Sequence, residues 1–220
     1  MSNARDTTAQ PIGVAAAMAV ALLCLCYAIV LGLGLLTLPS PTHQVQDPWF
    51  TLMELLIIAI APAMVLFMVG LHAWAPAHCT VPALGAVAFM SMCAVATCAV
   101  HFAILTLSRQ PAFSGQAWAR EVFAFQWPSV AYALDILAWD IFFPIAALLA
   151  ARAIPGAGLP GVVRGLLYLS AALAFIGLAG VPLANMQVRN IGIIGYAVLF
   201  PVATALMVRL FRSGKYASAV

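Results

Sequence analysis

One long uncharged stretch decides which class of protein this chain can be. From Leu55 to Ser108 the sequence contains no Asp, Glu, Lys or Arg. Hydrophobic residues make up 65% of the chain and charged residues only 7%, so the polar surface is too small to cover a water-soluble globule. The sequence therefore predicts an integral membrane protein, and an all-α one, because a helix satisfies its own backbone hydrogen bonds in lipid.

The uncharged runs divide into six membrane-spanning helices. A bilayer core of about 30 Å requires roughly 20 helical residues, and proline and glycine mark where the chain must turn. The segment "HAWAPAHCTVP" separates the second and third helices, and "AIPGAGLPG" separates the fourth and fifth. We predict a polytopic bundle that is one domain over residues 1-220, with spans at about 12-38, 52-74, 81-107, 128-151, 162-181 and 191-211.

The distribution of Lys and Arg predicts the orientation of the bundle. The side with more of these residues is usually cytoplasmic. One side carries Arg5, Arg152, Arg164, Arg209, Arg212 and Lys215, whereas the other carries Arg109, Arg120 and Arg189. We therefore expect a multi-pass protein of the cell membrane with both termini in the cytoplasm. The same bias explains the net charge of +3, so we expect no nucleic-acid partner.

The first hydrophobic run is predicted to be a retained helix. Arg5 precedes it, as in a signal peptide, but its uncharged length far exceeds the roughly 7–15 residues of a signal core, and no clear small-residue cleavage site follows.

Four ionisable side chains are predicted to lie in the outer half of the bundle: Glu54, His101, Asp135 and Asp140. With a rise of 1.5 Å per residue, His101 and Asp135 lie about 10 Å below the outer surface and Asp140 about 18 Å below it. A charged residue facing lipid costs about 3 kcal/mol, so both aspartates should point into the bundle. Five α-helical residues turn the helix by about 140° relative to its start, which predicts that Asp135 and Asp140 face different neighbours.

Proline and aromatic residues add two structural expectations. Pro144 cannot donate a hydrogen bond to the carbonyl of Asp140, which predicts a kink beside that residue. Between the third and fourth spans, "GQAWAREVFAFQWPS" has Trp118, Val122 and Phe125 at helical spacing. This pattern predicts a helix in the outer membrane interface, or an outward extension of the fourth helix, that caps the outer half.

Each of these polar features has a structural and a functional interpretation. Asp135 and Asp140 either hold helices together by pairing with Arg189 or Arg109, or they bind a proton, ligand or substrate. His101 either packs against a neighbouring helix or pairs with Asp135. Arg189 begins a helix, where it either forms a tight turn or attracts an anion.

The sequence favours neither a metal site nor a cofactor. His72 and His101 are predicted at opposite ends of the bundle, so they cannot ligate one haem. The cluster of His72, His78 and Cys79 lacks the spacing of a zinc site. The five cysteines include no C-x-x-C pair, which argues against thiol chemistry.

The leading functional hypothesis is an outer-half pocket that binds an apolar or lipid-like molecule and transforms it by acid/base chemistry. Asp135, Asp140, His101 and Glu54 are the predicted catalytic residues. The predicted substrate-binding residues are Tyr132, Trp139, Trp127, Glu121, Asn185 and Arg189. An acid surrounded by aromatic rings resembles membrane-bound terpene cyclases and sterol isomerases in general style, which implies an isomerase or cyclase.

Two further hypotheses remain open. The first is a proton-coupled transporter or channel for small solutes, because a carboxylate at the midplane of a proline-containing helix is typical of a coupling site. The chain has no evident internal repeat, so a homo-oligomer would have to supply the symmetry of a carrier. The second is a non-catalytic membrane subunit. The segment from Asn185 to Pro201 is similar in character to small bacterial membrane proteins, which predicts a bacterial inner membrane.

Overall fold

The computed structural model describes residues 9–40 and 43–213, and the regular structure within them is entirely helical. Six helices are long and apolar enough to cross a membrane. These spans are Gln10–Leu36, Trp49–Trp74, Ala77–Arg109, Val130–Arg152, Leu159–Leu178 and Met186–Ser213. The predicted six-helix membrane bundle is therefore confirmed. Arg5 and Lys215 lie outside the described residues, and the orientation stays a prediction.

The spans contain regular and widened helical segments. The α-helices are α1 (Ala9–Leu36), α2 (Trp49–Trp74), α3 (Thr80–Thr106), α4 (Pro111–Ser114), α5 (Ala119–Phe123), α6 (Val130–Ile136), α7 (Phe143–Arg152), α8 (Leu159–Leu178), α9 (Met186–Ile194) and α10 (Phe200–Ser213). Short 3₁₀ turns, Ala77–Cys79 and Leu107–Arg109, flank α3. Two π-helical segments, Leu137–Phe142 and Gly195–Leu199, join α6 to α7 and α9 to α10.

The spans pack in chain order around a closed ring. α1 contacts α2, α2 contacts α3, α3 contacts α7, and α7 contacts α8. α8 then packs against α9 and α10, and α10 returns to α1. The fourth span is the most enclosed: 56% of the residues in its 18-residue apolar stretch are buried, against 17% in that of the first span. The fourth span therefore has protein on several sides, as its two aspartates require.

Each π-helical segment immediately precedes a helix with proline near its start. Pro144 and Pro201 cannot donate to the carbonyls of Asp140 and Ala197. The helix widens instead: Phe143 donates its N–H to Ala138, and Phe200 donates to Gly195, each five residues back. The structure thus accommodates both prolines by a π turn, a feature often found at functional sites.

The π turn redirects Asp140. In a π-helix one turn joins residues five apart, which is the spacing of Asp135 and Asp140. Both carboxylates consequently contact the same side chain, Arg189. The prediction that these aspartates face different neighbours is wrong, because it assumed a regular α-helix through Leu137–Phe142.

Aromatic rings fill the bundle from the level of Asp140 toward its other end. Trp139 stacks on Tyr196 with centroids 5.0 Å apart, and Phe143 packs on Phe200 at 5.1 Å. The ring contacts continue through Phe67 and Phe211 to Trp74. We call Trp139, Tyr196, Phe143, Phe200, Phe67, Phe211 and Trp74 the aromatic column. Each such ring pair adds about 0.5–1.5 kcal/mol beyond area burial, which favours a rigid, tightly packed interior.

The segment between the third and fourth spans forms two short helices. α5 ends at Phe123, so Phe125 lies beyond it rather than within one helix from Trp118. The ring of Phe125 packs between His101 and Tyr132, with centroid distances of 5.3 Å to each. Gln126 accepts a hydrogen bond from Gln44, which ties this segment to the first outer loop. The segment covers the buried polar residues, while its position in the membrane interface stays a prediction.

A buried ionisable network as candidate functional site

Five ionisable side chains from four spans meet inside the bundle. They are Glu54 on α2, His101 on α3, Asp135 on α6, Asp140 on the first π-helical segment and Arg189 on α9. Each is at most 4% exposed. Ionisable groups in a membrane interior are costly unless paired with one another, and these five are paired. We call this set the ionisable network.

His101 lies between two carboxylates. Its Nδ1 is 2.8 Å from Oε2 of Glu54, which is hydrogen-bonding distance. Its Nε2 lies 3.5 Å from Oδ1 of Asp135. The predicted pairing of His101 with Asp135 is therefore present, and Glu54 completes a carboxylate–imidazole–carboxylate series.

Arg189 connects the other half of the network. Its Nη2 donates to Oδ2 of Asp135 at 3.0 Å, and its Nε donates to Oδ2 of Asp140 at 3.1 Å. Its Nη1 donates to the hydroxyl of Tyr132 at 3.4 Å, and its Cζ lies 5.0 Å from the centroid of that ring. The rigid fork of a guanidinium suits such simultaneous contacts, so Arg189 joins the fourth span to the sixth.

Local sequence explains why Arg189 points inward. The side chain of Asn185 accepts hydrogen bonds from the N–H groups of Gln187 and Val188, which caps the start of α9. Gly177 of α8 permits close approach, because a Cβ there would lie 2.8 Å from the carbonyl oxygen of Arg189. Arg189 is thus a residue of a helix packed against the fifth span. The predicted pairing of Asp135 and Asp140 with Arg189 is therefore present.

Several buried polar atoms of this region have no hydrogen-bond partner within the described residues. They include Oδ1 of Asp140, Nε2 of His101 and Oγ1 of Thr97. Buried polar atoms are normally paired, so Oδ1 of the fully buried Asp140 marks an incomplete part of the network.

An exposed ion pair between the loop that precedes α2 and the end of the third span provides a contrast. Arg109 lies 3.2 Å from Oδ2 of Asp47, and both side chains are largely exposed. Hydrogen bonds from Thr51 to Asp47, together with Arg109, lower the pKa of the Asp47 carboxyl below its usual value. Arg109 therefore pairs at the surface rather than with Asp135 or Asp140.

The structure brings together six of the predicted site residues and separates four. Glu54, His101, Tyr132, Asp135, Asp140 and Arg189 are in contact as described. The other four are Trp139, which begins the aromatic column, the half-buried Trp127, the exposed Glu121 on α5 and the helix-capping Asn185. The catalytic and substrate-binding roles of all ten stay predictions.

Three aromatic residues near the network were not among the predicted site residues. Phe125 packs on His101 and Tyr132. Tyr27 of α1 lies within electrostatic range of Glu54 and Asp135, and Tyr196 within range of Arg189 and Asp140. Counting depth along the first span at 1.5 Å per residue would have placed Tyr27 about 16 Å below the outer surface, nearer to the depth of Asp140 than to that of His101. Helix contacts were needed to show which side chains meet.

A cavity of about 560 Å³ opens at the other end of the bundle. It lies between the start of α3 and the end of α7, and its lining includes His78, Pro82, Gly85, Leu149 and Arg152. This cavity is separate from the ionisable network. The outer-half substrate pocket therefore stays a prediction.

No protein-family model matches the chain, and neither a curated protein nor a solved structure matches it. The chemistry of the network is accordingly the basis on which a function can be argued.

Proposed function

We propose that this protein is a membrane carrier of protons, in which the ionisable network binds a proton on one side and releases it on the other. The observation that supports this most is the buried series of Glu54, His101 and Asp135, joined by contacts of 2.8 and 3.5 Å. Arg189 stays protonated and passes no proton itself, but it contacts Asp135 at 3.0 Å and Asp140 at 3.1 Å, so protonation of one carboxylate strengthens its pairing with the other. Series of Asp, Glu and His side chains inside membrane proteins typically form proton relays.

His101 is suited to the transfer step of such a relay. An imidazole can release a proton from one ring nitrogen after gaining one at the other. Here the two nitrogens face different carboxylates, on Glu54 and Asp135. A proton arriving at Glu54 can therefore reach Asp135 through the ring once the 3.5 Å between Nε2 and Oδ1 of Asp135 shortens to hydrogen-bonding distance.

Arg189 couples the charge of the network to helix packing. It contacts Asp135 and Asp140 of the fourth span from its own position on the sixth. A change in the charge of either carboxylate changes its attraction to the guanidinium, and hence the preferred packing of these two spans. Both spans contain a π turn followed by proline, which provides a place for the backbone to bend.

The aromatic column favours a carrier over an open channel. Phe143, Phe200, Phe67 and Phe211 are each at most 1% exposed, and they fill the bundle beyond the network. A proton held at Asp140 therefore needs a rearrangement of helices before it can reach the other side, as in alternating access.

A second candidate is an acid/base enzyme for an apolar molecule. The rings of Tyr132 and Phe125 pack on each other and on Arg189 and His101 of the network, and they can stabilise a developing positive charge. Asp140 and Trp139 are 0% and 6% exposed, however, which leaves little surface for a substrate, whereas a proton needs none. Mass spectrometry of molecules that copurify with the protein tests this candidate: an apolar compound bound by wild type and lost in Asp135→Asn would favour the enzyme.

The relay can be tested at His101. Purified protein is reconstituted into liposomes that contain a pH-sensitive dye, and a membrane potential is imposed with a potassium ionophore. We expect proton flux in wild type, its loss in His101→Gln, and wild-type flux in His43→Gln, because His43 is exposed and bonds only to Ser40. Equal flux in the two variants would refute the relay, provided that circular dichroism shows both are folded.

A further inference from the structure

The ionisable network contains more negative than positive groups. Its carboxylates are those of Glu54, Asp135 and Asp140, and its cation is the guanidinium of Arg189. His101 adds a second positive charge only when its ring is protonated. Even then, three negative charges would face two positive ones inside a membrane.

Such an imbalance is unfavourable because every group of the network is buried. A charge in a low-dielectric interior is tolerated when it is paired, and an unpaired one is normally neutralised. When the three carboxylates are ionised, His101 is neutral and Arg189 is charged, the network has two more negative than positive charges. Two further protons therefore make it neutral. The positions of the five side chains indicate where these protons lie.

His101 accounts for the first proton. Both ring nitrogens face a carboxylate oxygen, Nδ1 toward Glu54 and Nε2 toward Asp135. A neutral imidazole has one donor and one acceptor, whereas an imidazolium has two donors. Two carboxylate neighbours therefore favour the imidazolium form of His101.

Asp140 accounts for the second proton. Both oxygens of Asp135 face a cation, Oδ1 toward His101 and Oδ2 toward Arg189. Only Oδ2 of Asp140 has such a partner, and its Oδ1 has no hydrogen bond within the described residues. The ionisable groups around Asp140 are Arg189 from α9, Tyr196 from the second π-helical segment, and Asp135 and Tyr132 from α6. Arg189 is the one cation among them, and Asp135 already shares it.

Building on the proposed carrier function, we infer that the resting network holds two exchangeable protons, one on the His101 ring and one on Oδ1 of Asp140, and that the Asp140 proton is the one transported. On release, the O–H bond breaks, the electron pair stays on Oδ1, and the proton passes to water. Asp140 then becomes an anion that competes with Asp135 for Arg189. This competition links proton release to the packing of the fourth and sixth spans.

A proton fits the surroundings of Oδ1 better than a metal cation does. Hard cations such as Ca²⁺ and Mg²⁺ require several oxygen ligands. A Cβ added to Gly192 would lie only 2.9 Å from Oδ1 of Asp140. The same added Cβ would lie 3.4 Å from the Cα of Ala174, so the space beside Oδ1 is narrow. The described residues contain no cluster of His, Cys, Asp and Glu suited to a metal ion.

Infrared difference spectroscopy at neutral pH can detect this proton. A protonated carboxylic acid has a carbonyl stretch that is distinct from carboxylate bands and shifts in D₂O. We expect this band in wild-type protein in lipid nanodiscs, its complete loss in Asp140→Asn and its retention in Glu121→Gln, because Glu121 is exposed and lies outside the network. Absence of the band from wild type, or its persistence in Asp140→Asn, would overturn the assignment.

Two further arms keep the test decisive. If Asp140→Asn does not fold, Gly192→Ala serves instead. Its added methyl group contacts Oδ1 of Asp140 and should shift the band without removing it. An unshifted band would overturn the assignment. Replacing sodium by choline should leave the wild-type spectrum unchanged. A band that appears only without sodium would show that a cation, rather than a proton, neutralises Asp140.

The outcome is separable from the proposed function. A protein that has the Asp140 band but supports no proton flux in liposomes would retain the protonation assignment and refute the carrier. A protein that supports flux without the band would retain the carrier and refute the assignment.

Discussion

At the scale of single residues, Arg189 determines what the acids of the fourth span can do. Sequence reasoning identified Asp135, Asp140, His101 and Glu54 because ionisable residues are rare in apolar helices. It also offered Arg189 or Arg109 as the partner of the two aspartates, and the pairing with Arg189 is present. Which of the two arginines pairs was not predictable, because neither the cap at Asn185 nor the close packing at Gly177 can be recognised from hydropathy.

We expect removal of Arg189 to be far more damaging than removal of an exposed arginine. Arg189→Gln leaves Asp135 and Asp140 buried without their cation, a change that typically costs about 3–5 kcal/mol. Arg109→Gln breaks exposed contacts with Asp47 and Thr51, and an exposed ion pair of this kind is typically worth about 0–1 kcal/mol. Denaturant unfolding in detergent micelles measures both. Similar losses in the two variants would contradict the pairing described for Arg189.

The Asp47 carboxylate should make a small contribution to the unfolding free energy, and this contribution should be lost at low pH. Thr51 and Arg109 hold the pKa of its folded-state carboxyl below that of the unfolded chain. The resulting stabilisation is present above the unfolded pKa and is lost as the pH falls through the folded one. Between about pH 5 and pH 2, the unfolding free energy of wild type should therefore fall more steeply than that of Asp47→Asn. If the unfolding free energies of wild type and Asp47→Asn fall in parallel over this pH range, the Asp47 carboxylate contributes nothing to stability.

At the scale of helices, the two π turns explain the main error of the sequence analysis. The sequence correctly indicated that Pro144 disturbs the helix at Asp140. It could not show whether the helix would kink or widen, because both relieve the same missing hydrogen bond. In the widened turn the hydrogen bond joins residues five apart instead of four. Asp135 and Asp140 then both contact the guanidinium of Arg189, so this one extra residue in the turn determines the geometry of the network.

The contact between the fifth span and α9 should be sensitive to one methyl group. In Gly177→Ala the new Cβ would lie within 3.0 Å of backbone atoms of Arg189 and Gly192. Overpacking of this kind typically costs about 1–3 kcal/mol, and it should displace Arg189. Gly165→Ala, on the same helix, meets nothing within 4 Å. This control should be neutral or stabilise by up to about 1 kcal/mol.

Unfolding measurements and proton flux should therefore separate the two alanine variants. Reduced stability and flux in Gly177→Ala, with normal values in Gly165→Ala, is the expected result. Normal flux in Gly177→Ala would show that the position of Arg189 does not depend on this close packing.

At the scale of the whole molecule, hydropathy predicted the number of spans because bilayer thickness fixes their length. It did not predict the closed ring or the central fourth span, because lipid-facing and protein-facing apolar residues have similar composition. The apolar side chains of Leu36 and Val81 are 84% and 83% exposed, for example. Their neighbours in the sequence are similar in type to the neighbours of buried core residues.

The predicted orientation can be tested by cysteine labelling. Gln110 and Ala157 are exposed residues in connections at opposite ends of the bundle. With both termini in the cytoplasm, a membrane-impermeant maleimide should label Gln110→Cys in intact cells and Ala157→Cys only after permeabilisation. Labelling of the unsubstituted chain sets the background. The reverse pattern would invert the orientation and place the network in the inner half of the membrane.

The central claim is that the buried network carries a proton through the membrane. Its most direct test is the rate of potential-driven proton flux in liposomes containing equal amounts of folded wild type, Asp140→Asn or Asp47→Asn. The account predicts flux in wild type and in Asp47→Asn, and none above the lipid background in Asp140→Asn. Equal flux in Asp140→Asn and wild type, or no flux in any of the three, would contradict it.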